Sequence, residues 1–469
     1  MRRIVVLGAG VTGLAAADRL LELGVGRVTV VEAEPVVGGL AATIEGEGVA
    51  TDLGPHRLHT ELSEIQSFLP EVIGDRLFRV RRSSRMYLAG RWVAYPLRLG
   101  QAARSLGLGQ VLRLGAGLAT AKLRAALPRR SPATFAGAMQ RAFGGPAYRS
   151  VFEPYARKVW RTEPSDLSAE IARVRLPARG VGAVFGRLLR GGRGPAGPLR
   201  EFQYVRGGIG RLSEALAGRI ARRGGQIRLQ TKAVGLNFGS TGVCGVNVQG
   251  PNGAALLDAD ALISTIPLPA LGAMAPGGDL DLRAALANLE YLSIILVVLI
   301  VGRERIGPDH WLYFPQEPPL PTRASEPKNF DASLAPPDRT CLCCEITCRR
   351  SEALWESRDD EIAGRVEREM IDVGLIRAGD VLSRFVVRKD WGYPIYALGF
   401  ERQLEIIWPF LARFPNLLTV GRQGLFNHNN IDHCLVMGRR AAETAVADRE
   451  PSRRWYASLD RFADFRIYD

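Results

Sequence analysis

Only five histidines occur in this chain of 469 residues, and four of them fall in two short stretches: His56 with His59, and His428 with His433. Imidazole exchanges protons near neutral pH, and it also hydrogen-bonds as a neutral group. His56, His59 and His428 are therefore the candidate catalytic residues, with a purely structural role as the alternative. Their Asn and Pro neighbours leave no recognisable ligand spacing, so no metal is expected there. The cysteines offer a second candidate chemistry. Four of the six, Cys341, Cys343, Cys344 and Cys348, are spaced C-x-C-C-x-x-x-C. The same residues read as a strand, in which adjacent Cys343 and Cys344 point to opposite faces. Buried free thiols in a reducing compartment are the expectation.

A third pattern concerns phosphate. Gly8-Ala9-Gly10-Val11-Thr12-Gly13 is G-x-G-x-x-G, which needs a strand before it and a helix after it. Ile4–Leu7 is a short apolar strand. Leu14, Ala17, Leu20 and Leu21 then form one helical stripe ended by Gly24. Val28–Val31 is a second buried strand, closed by Glu32, 19 residues after Gly13. This is a β-α-β unit with parallel strands and a right-handed crossover. The glycines allow a tight turn, close approach of a pyrophosphate and close helix–strand packing. The helix N-terminus adds unpaired N–H groups and the positive end of its dipole. Gly8, Gly10, Val11, Thr12 and Gly13 are thus candidate phosphate contacts, and Glu32 can accept from a ribose diol.

Gly38-Gly39-Leu40 follows Glu32. This resembles the extended fingerprint of the amine oxidase and protoporphyrinogen oxidase flavoproteins, where the Gly-Gly pair lies against FAD phosphates. The resemblance implies non-covalent FAD rather than NAD. It resumes at Gly421-Arg422, after a short apolar strand, and at Asn430, Ile431 and Asp432 before a small-residue helix. That second half implies closure over the ribityl chain and flavin ring. Ala33, Gly54, Pro55, His56 and Val234 are further cofactor contacts implied in this way. The four histidines named above then lie in the two segments that meet at the flavin.

Thr51–Thr60 (TDLGPHRLHT) resembles a G-x-H-x-x-H-T stretch of the UDP-galactopyranose mutases, here Gly54, His56, His59 and Thr60. Arg91–Leu97 resembles the strand that follows in the same group. Phe152–Arg179 resembles the mutases' tyrosine–lysine–tryptophan stretch and the following Leu-Pro-x-Arg, with one residue inserted. Tyr155, Lys158, Trp160 and Arg179 match. The resemblance implies that Arg179 and Arg422 hold a substrate diphosphate, with Arg422 contacting FAD as the alternative. Bidentate guanidinium geometry suits either role. Tyr155 and Trp160 are candidate substrate-binding rings, with core packing as the alternative. Phe202–Leu236 departs from the mutases and is more similar to protoporphyrinogen oxidase and phytoene desaturase. Tyr291–Val301 lacks the lysine that typical amine oxidases place in this strand, which argues against ordinary amine oxidation.

The elements that must position these residues follow from pattern. Helices are expected in Leu99–Leu127, Ser168–Arg190, Arg211–Arg223 and Glu352–Gly374. Gly191–Pro198 and Pro315–Pro337 read as loops. Strands are expected at Gln226–Thr231, Gly242–Val248, Ala254–Asp258, Ala261–Thr265, Leu292–Val301 and Leu417–Val420. The fold class expected is α/β: a discontinuous Rossmann-type FAD domain (1–80, 200–270, 385–450) and a mixed α+β substrate domain (81–199, 271–384) with a helical cap.

The composition, 46% hydrophobic and 23% charged, is that of a globular chain able to bury a large core. No signal peptide is visible. Leu292–Val301 is about half the roughly 20 residues a membrane span needs. A cytoplasmic location is expected. The net charge of +14 rests on 62 Lys and Arg, with clusters at Arg79–Arg85 and Arg187–Arg193. No nucleic-acid-binding motif accompanies it, so nucleic acid is not the expected partner. A solvated basic surface, an anionic or nucleotide-linked small substrate, and contact of Leu99–Leu127 with a membrane surface stay open.

The function expected is an FAD-dependent oxidoreductase of a small sugar-like or amino-sugar substrate, with hydride transfer to flavin N5. The alternatives are a UDP-galactopyranose mutase-like isomerase using reduced FAD, and a flavin-bound non-catalytic subunit.

Overall fold

The computed structural model describes residues 2–95, 108–125, 131–175, 201–240, 242–447, 450–462, 465 and 467. Its first sheet is parallel, in the order Leu417–Thr419, Ala261–Ser264, Arg3–Leu7, Arg27–Val31, Gln226–Arg228. The central strand is apolar because both its faces are covered: Ile4, Val5, Val6 and Leu7 are all buried. Helix Val11–Glu22 lies between the first two strands and buries Leu14, Ala17 and Leu20. Helix Ile431–Ala447 packs along it. Both chain ends therefore build one layer.

The second sheet has seven strands, in the order Val381–Pro394, Tyr291–Val301, Thr340–Cys348, Arg323–Ser325, Trp311–Tyr313, Ser84–Leu88, Arg91–Ala94. Tyr291–Val301 is buried along almost its whole length and pairs antiparallel on both sides. The sheet separates two apolar clusters. Cys344 and Cys348 enter one, Cys341 and Cys343 the other, so the adjacent thiols do point oppositely. All six cysteines are free. Burial raises the Cys343 and Cys348 thiols to about 12, which keeps them protonated and inert. Among the described residues no cluster of His, Cys, Asp and Glu is arranged to hold a metal.

Some expected elements differ. Glu352–Gly374 is two helices, Ala353–Glu356 and Asp359–Asp372, because Ser357 and Arg358 are extended. Asp359, Asp360 and Glu361 then fill the first turn of the longer helix, where negative charge is favoured. Lys232–Gly239 is an unforeseen strand, held in an antiparallel meander with Gly242–Gly250 and Gly253–Asp258. Val234, Leu236 and Phe238 alternate along it with Gly235 and Asn237, and Val234 and Lys232 are exposed. Pro315–Pro337 contains the short strand Arg323–Ser325 and helix Pro327–Phe330. In Ser168–Arg190 the described helix is Glu170–Arg175, and in Leu99–Leu127 it is Leu108–Ala125. Residues 176–190, 99–107 and 126–127, and Gly191–Pro198 entirely, lie outside the described residues.

Candidate active site

The candidate phosphate cradle is built by backbone. Gly8 N–H donates to the Val31 carbonyl at 2.8 Å, and Gly38 N–H donates to the Ala9 carbonyl at 2.8 Å. Gly10 and Gly38 form an isolated parallel bridge, so the Gly-Gly pair docks directly on the glycine loop. At Gly39 (φ 56°) an added Cβ would come within 3.3 Å of the Gly10 Cα. At Gly10 an added Cβ would meet nothing within 4 Å, so space opens at the N-terminus of helix Val11–Glu22. No side chain caps that helix, and its first N–H groups remain available to an anion. Glu32 accepts from Ala9 N–H at 2.7 Å and from Glu34 N–H at 2.9 Å. It thus holds the loop, and a carboxylate has lone pairs left for a ribose. Leu40 lies within the turn Gly39–Ala41, while Ala33 and Val234 are exposed.

The C-terminal half closes on this cradle. At Gly421 (φ 86°) an added Cβ would lie 2.7 Å from Thr12 Oγ1. Asn430 N–H donates to His433 Nδ1 at 3.2 Å, and His433 stacks on Phe465. His433 is thereby a structural cap for the start of helix Ile431–Ala447. Asp432 and Asn429 are buried, and one oxygen of each, Oδ1, has no hydrogen-bond partner among the described residues. Buried acceptors of this kind imply a donor outside the chain. Open space at Gly10, two uncapped glycine turns and these acceptors fit a dinucleotide with polar hydroxyls.

A polar pocket continues beyond the cradle. His56 Nδ1 lies 2.8 Å from the Gly54 carbonyl, so Nδ1 carries the proton and Nε2 the lone pair. Burial, reinforced by the positive Arg422 and Arg323, pushes His56 down to about 3. It is a neutral hydrogen-bonding group and a weak base. His59 is also lowered, by burial first and then by Arg57. His428 is buried, with its ring edge-on to Trp160 at 5.3 Å and to Tyr396 at 4.7 Å. The Tyr396 hydroxyl accepts from His428 N–H at 3.1 Å. Tyr393 lies over His428, and Arg422 lies over the Tyr393 ring at 5.3 Å while donating to the Asn429 carbonyl.

Arg323, Glu345 and Tyr393 escaped the sequence reading. Arg323 binds Glu345 through Nε (3.0 Å) and Nη2 (2.7 Å), and Nη2 also reaches the Tyr393 hydroxyl at 3.1 Å. Glu345 abuts Gly54, whose added Cβ would meet its Oε2 at 2.7 Å. The available signal was a lone carboxylate inside the apolar strand Thr340–Cys348.

Trp160 is buried, Tyr155 is half-buried close enough to influence Arg323, and both lie on helix Glu153–Trp160. Lys158 on the same helix is buried away from the pocket. It donates to the carbonyls of Phe314 (2.8 Å), Gln316 (3.0 Å) and Pro319 (2.5 Å). Its role is to staple the Pro-rich segment to the helix. The structure therefore brings together His56, Arg422, His428 and Trp160 with the unforeseen Arg323, Glu345 and Tyr393. Arg179 lies outside the described residues.

The sequence profile of the family described as flavin-containing amine oxidoreductase matches residues 11–446, from the start of helix Val11–Glu22 through the pocket to the closing helix. The chain belongs to that family. It is a flavoprotein with FAD as cofactor, built from a Rossmann-type FAD-binding domain and a substrate domain. Protoporphyrinogen oxidase of Bos taurus is 26% identical over 489 aligned positions, covering 96% of this chain and 99% of the relative. An 80-residue segment is 44% identical to phytoene dehydrogenase of Streptomyces griseus, 17% of this chain and 16% of that one. Reduced UDP-galactopyranose mutase shares the fold with a TM-score of 0.83 at 23% identity, covering 99% of both chains.

Proposed function

We propose that this flavoprotein is an FAD-dependent oxidoreductase of a small, anionic, sugar-like or amino-sugar substrate. The observation that carries the reading is Arg422. Its guanidinium lies over Tyr393 beside the pocket and, among the described residues, pairs with no carboxylate. A half-buried arginine without an acid partner is a ready anion receptor. Trp160, Tyr155 and Tyr393 supply flat walls, and the His56 and His428 rings supply polar contacts. A nucleotide-linked sugar matches that mixture, and the mutase named above is a protein whose name carries such a substrate.

Bound FAD supplies a hydride acceptor at N5 or, when reduced, a nucleophile at the same atom. The chain's own residues bind and orient. Arg422 takes the substrate charge. His56 offers a lone pair at Nε2 to a substrate or cofactor donor. The Arg323–Glu345 pair, its carboxylate buried, keeps a fixed dipole beside Gly54.

A mutase-like isomerisation is the second reading, favoured by the weak basicity of His56. Removing a hydroxyl proton during alcohol oxidation calls for a base poised near neutrality, and a group at about 3 is far from that. The test is anaerobic mixing of oxidised holoprotein with nucleotide sugars, amino sugars and amines while the visible flavin band is followed. Bleaching by one class supports the oxidoreductase and names its substrate. No bleaching, together with isomerisation of a nucleotide sugar by the chemically reduced enzyme, refutes it in favour of the mutase. Neither reaction, with FAD firmly bound, leaves the non-catalytic subunit.

A further inference from the structure

The excess positive charge is confined to one stretch. Residues 76–152 contain 15 Lys and Arg and no Asp or Glu, whereas the rest of the chain holds 47 basic and 48 acidic residues. The whole surplus thus belongs to the stretch carrying helix Leu108–Ala125. Among its described side chains, that helix is packed on one side only. Ala121 and Gly117 are buried, and an added Cβ at Gly117 would press on Pro146 at 2.8 Å. On the other side Leu112 is 63% and Leu123 73% exposed, with Ala116 and Ala119 exposed between them. These positions, spaced 4, 3 and 4 apart, form one continuous stripe on a helix. Arg113 beside the stripe is exposed. Arg149, also exposed, lines a shared cavity with Leu114 of the helix and with Ala89, two residues before the exposed Arg91.

We propose that this face docks on an anionic lipid surface, with Leu112 and Leu123 entering the headgroup boundary and the surrounding arginines contacting lipid phosphates. An apolar stripe flanked by cations suits an interfacial helix lying in the membrane plane. Cations near such a surface each add to the attraction over a Debye length. The complementarity favours lipid over a second copy of the chain, whose identical face would bring like charges together. No described helix is long and apolar enough to cross a membrane, so the contact is peripheral.

The test is co-sedimentation of the FAD-loaded protein with vesicles of phosphatidylglycerol in phosphatidylcholine, and of phosphatidylcholine alone. The expected result is binding only to the anionic vesicles, weakening as salt is added. Leu112→Gln/Leu123→Gln and Arg113→Glu should each lower the affinity about tenfold, from loss of apolar insertion or reversal of one surface charge. Flavin absorption and melting temperature should not change, since these side chains are exposed. Absence of wild-type binding at low salt overturns the proposal, as does binding that the Leu112→Gln/Leu123→Gln variant retains in full. Self-association or RNA binding that this variant abolishes, without vesicle binding, assigns the face to another partner and also overturns it.

Discussion

Gly421→Ala tests how the two ends of the chain share the cofactor cradle. Gly421 has φ 86°, a left-handed conformation that costs a residue with a Cβ about 1–2 kcal/mol. The new Cβ would also stand 2.7 Å from Thr12 Oγ1 and 3.0 Å from Thr12 Cβ. Ordinary contact begins about 0.7 Å farther out, and forced overpacking of this kind typically costs about 1–3 kcal/mol. The two terms together give about 2–5 kcal/mol. A chain of 469 residues melting as one unit has an unfolding entropy of about 1 kcal/mol/K, so Tm should fall by about 2–5 °C. Thr12 sits in the first turn of helix Val11–Glu22, at the candidate phosphate site, so displacing it should also loosen FAD. Thr12→Ala in the same chain removes the Oγ1 contact but leaves the 3.0 Å Cβ contact and the backbone strain, and should recover only part of the loss. Gly364→Ala is the control: in helix Asp359–Asp372 its Cβ meets nothing closer than 3.6 Å, and the change should stabilise by about 0.5–1 kcal/mol. Differential scanning calorimetry and released-flavin fluorescence measure both effects. A Gly421→Ala protein with unchanged Tm and flavin retention would refute the reasoning.

Further perturbations follow from the pocket. His56 is lowered from 6.5 to about 3, so the unfolded chain binds a proton below 6.5 that the folded chain refuses. Stability should fall as pH drops through that window, by about 2 kcal/mol from this group between pH 6.5 and 5, and His56→Gln should flatten the urea-unfolding slope there. Glu345→Gln keeps neutral hydrogen bonds to Arg323 and should cost about 1–2 kcal/mol. Glu345→Leu strands the guanidinium, which keeps 24% side-chain exposure, and should cost nearer 3 kcal/mol. Equal Tm losses in the two variants would contradict that account of the pair. Arg422→Ala removes one or two charge-assisted bonds, worth about 1.5–3 kcal/mol each, so nucleotide-sugar binding should weaken about tenfold or more. Titration of the flavin spectrum reads this directly, and unaltered affinity would exclude Arg422 from the substrate site.

The cradle was legible in the sequence because it is made of backbone. A turn that must pass close to phosphate needs glycine whatever surrounds it, so Gly8, Gly10 and Gly13 mark a candidate cradle by spacing, and Gly38 and Gly39 by resemblance. The buried strands at Ile4–Leu7, Val28–Val31 and Tyr291–Val301 announce themselves by apolar runs. The opposed cysteines of Thr340–Cys348 follow from the two-residue period of a strand. Lys232–Gly239 carries the same period at Val234, Leu236 and Phe238.

The chemistry of the pocket was a tertiary decision. His56 reads as an ordinary proton-exchanging histidine, yet burial between two guanidiniums from residues 323 and 422 leaves it neutral. Arg323 and Glu345 are 22 residues apart and meet only because two antiparallel strands place them opposite each other. Lys158 stands in a segment that suggested substrate contact, but its helix turns it toward three carbonyls of the Pro-rich segment. Local spacing determines what the backbone must do, because steric limits act between neighbours. Charge state and pairing depend on dielectric and on partners hundreds of residues away, and these exist only once the sheets have closed.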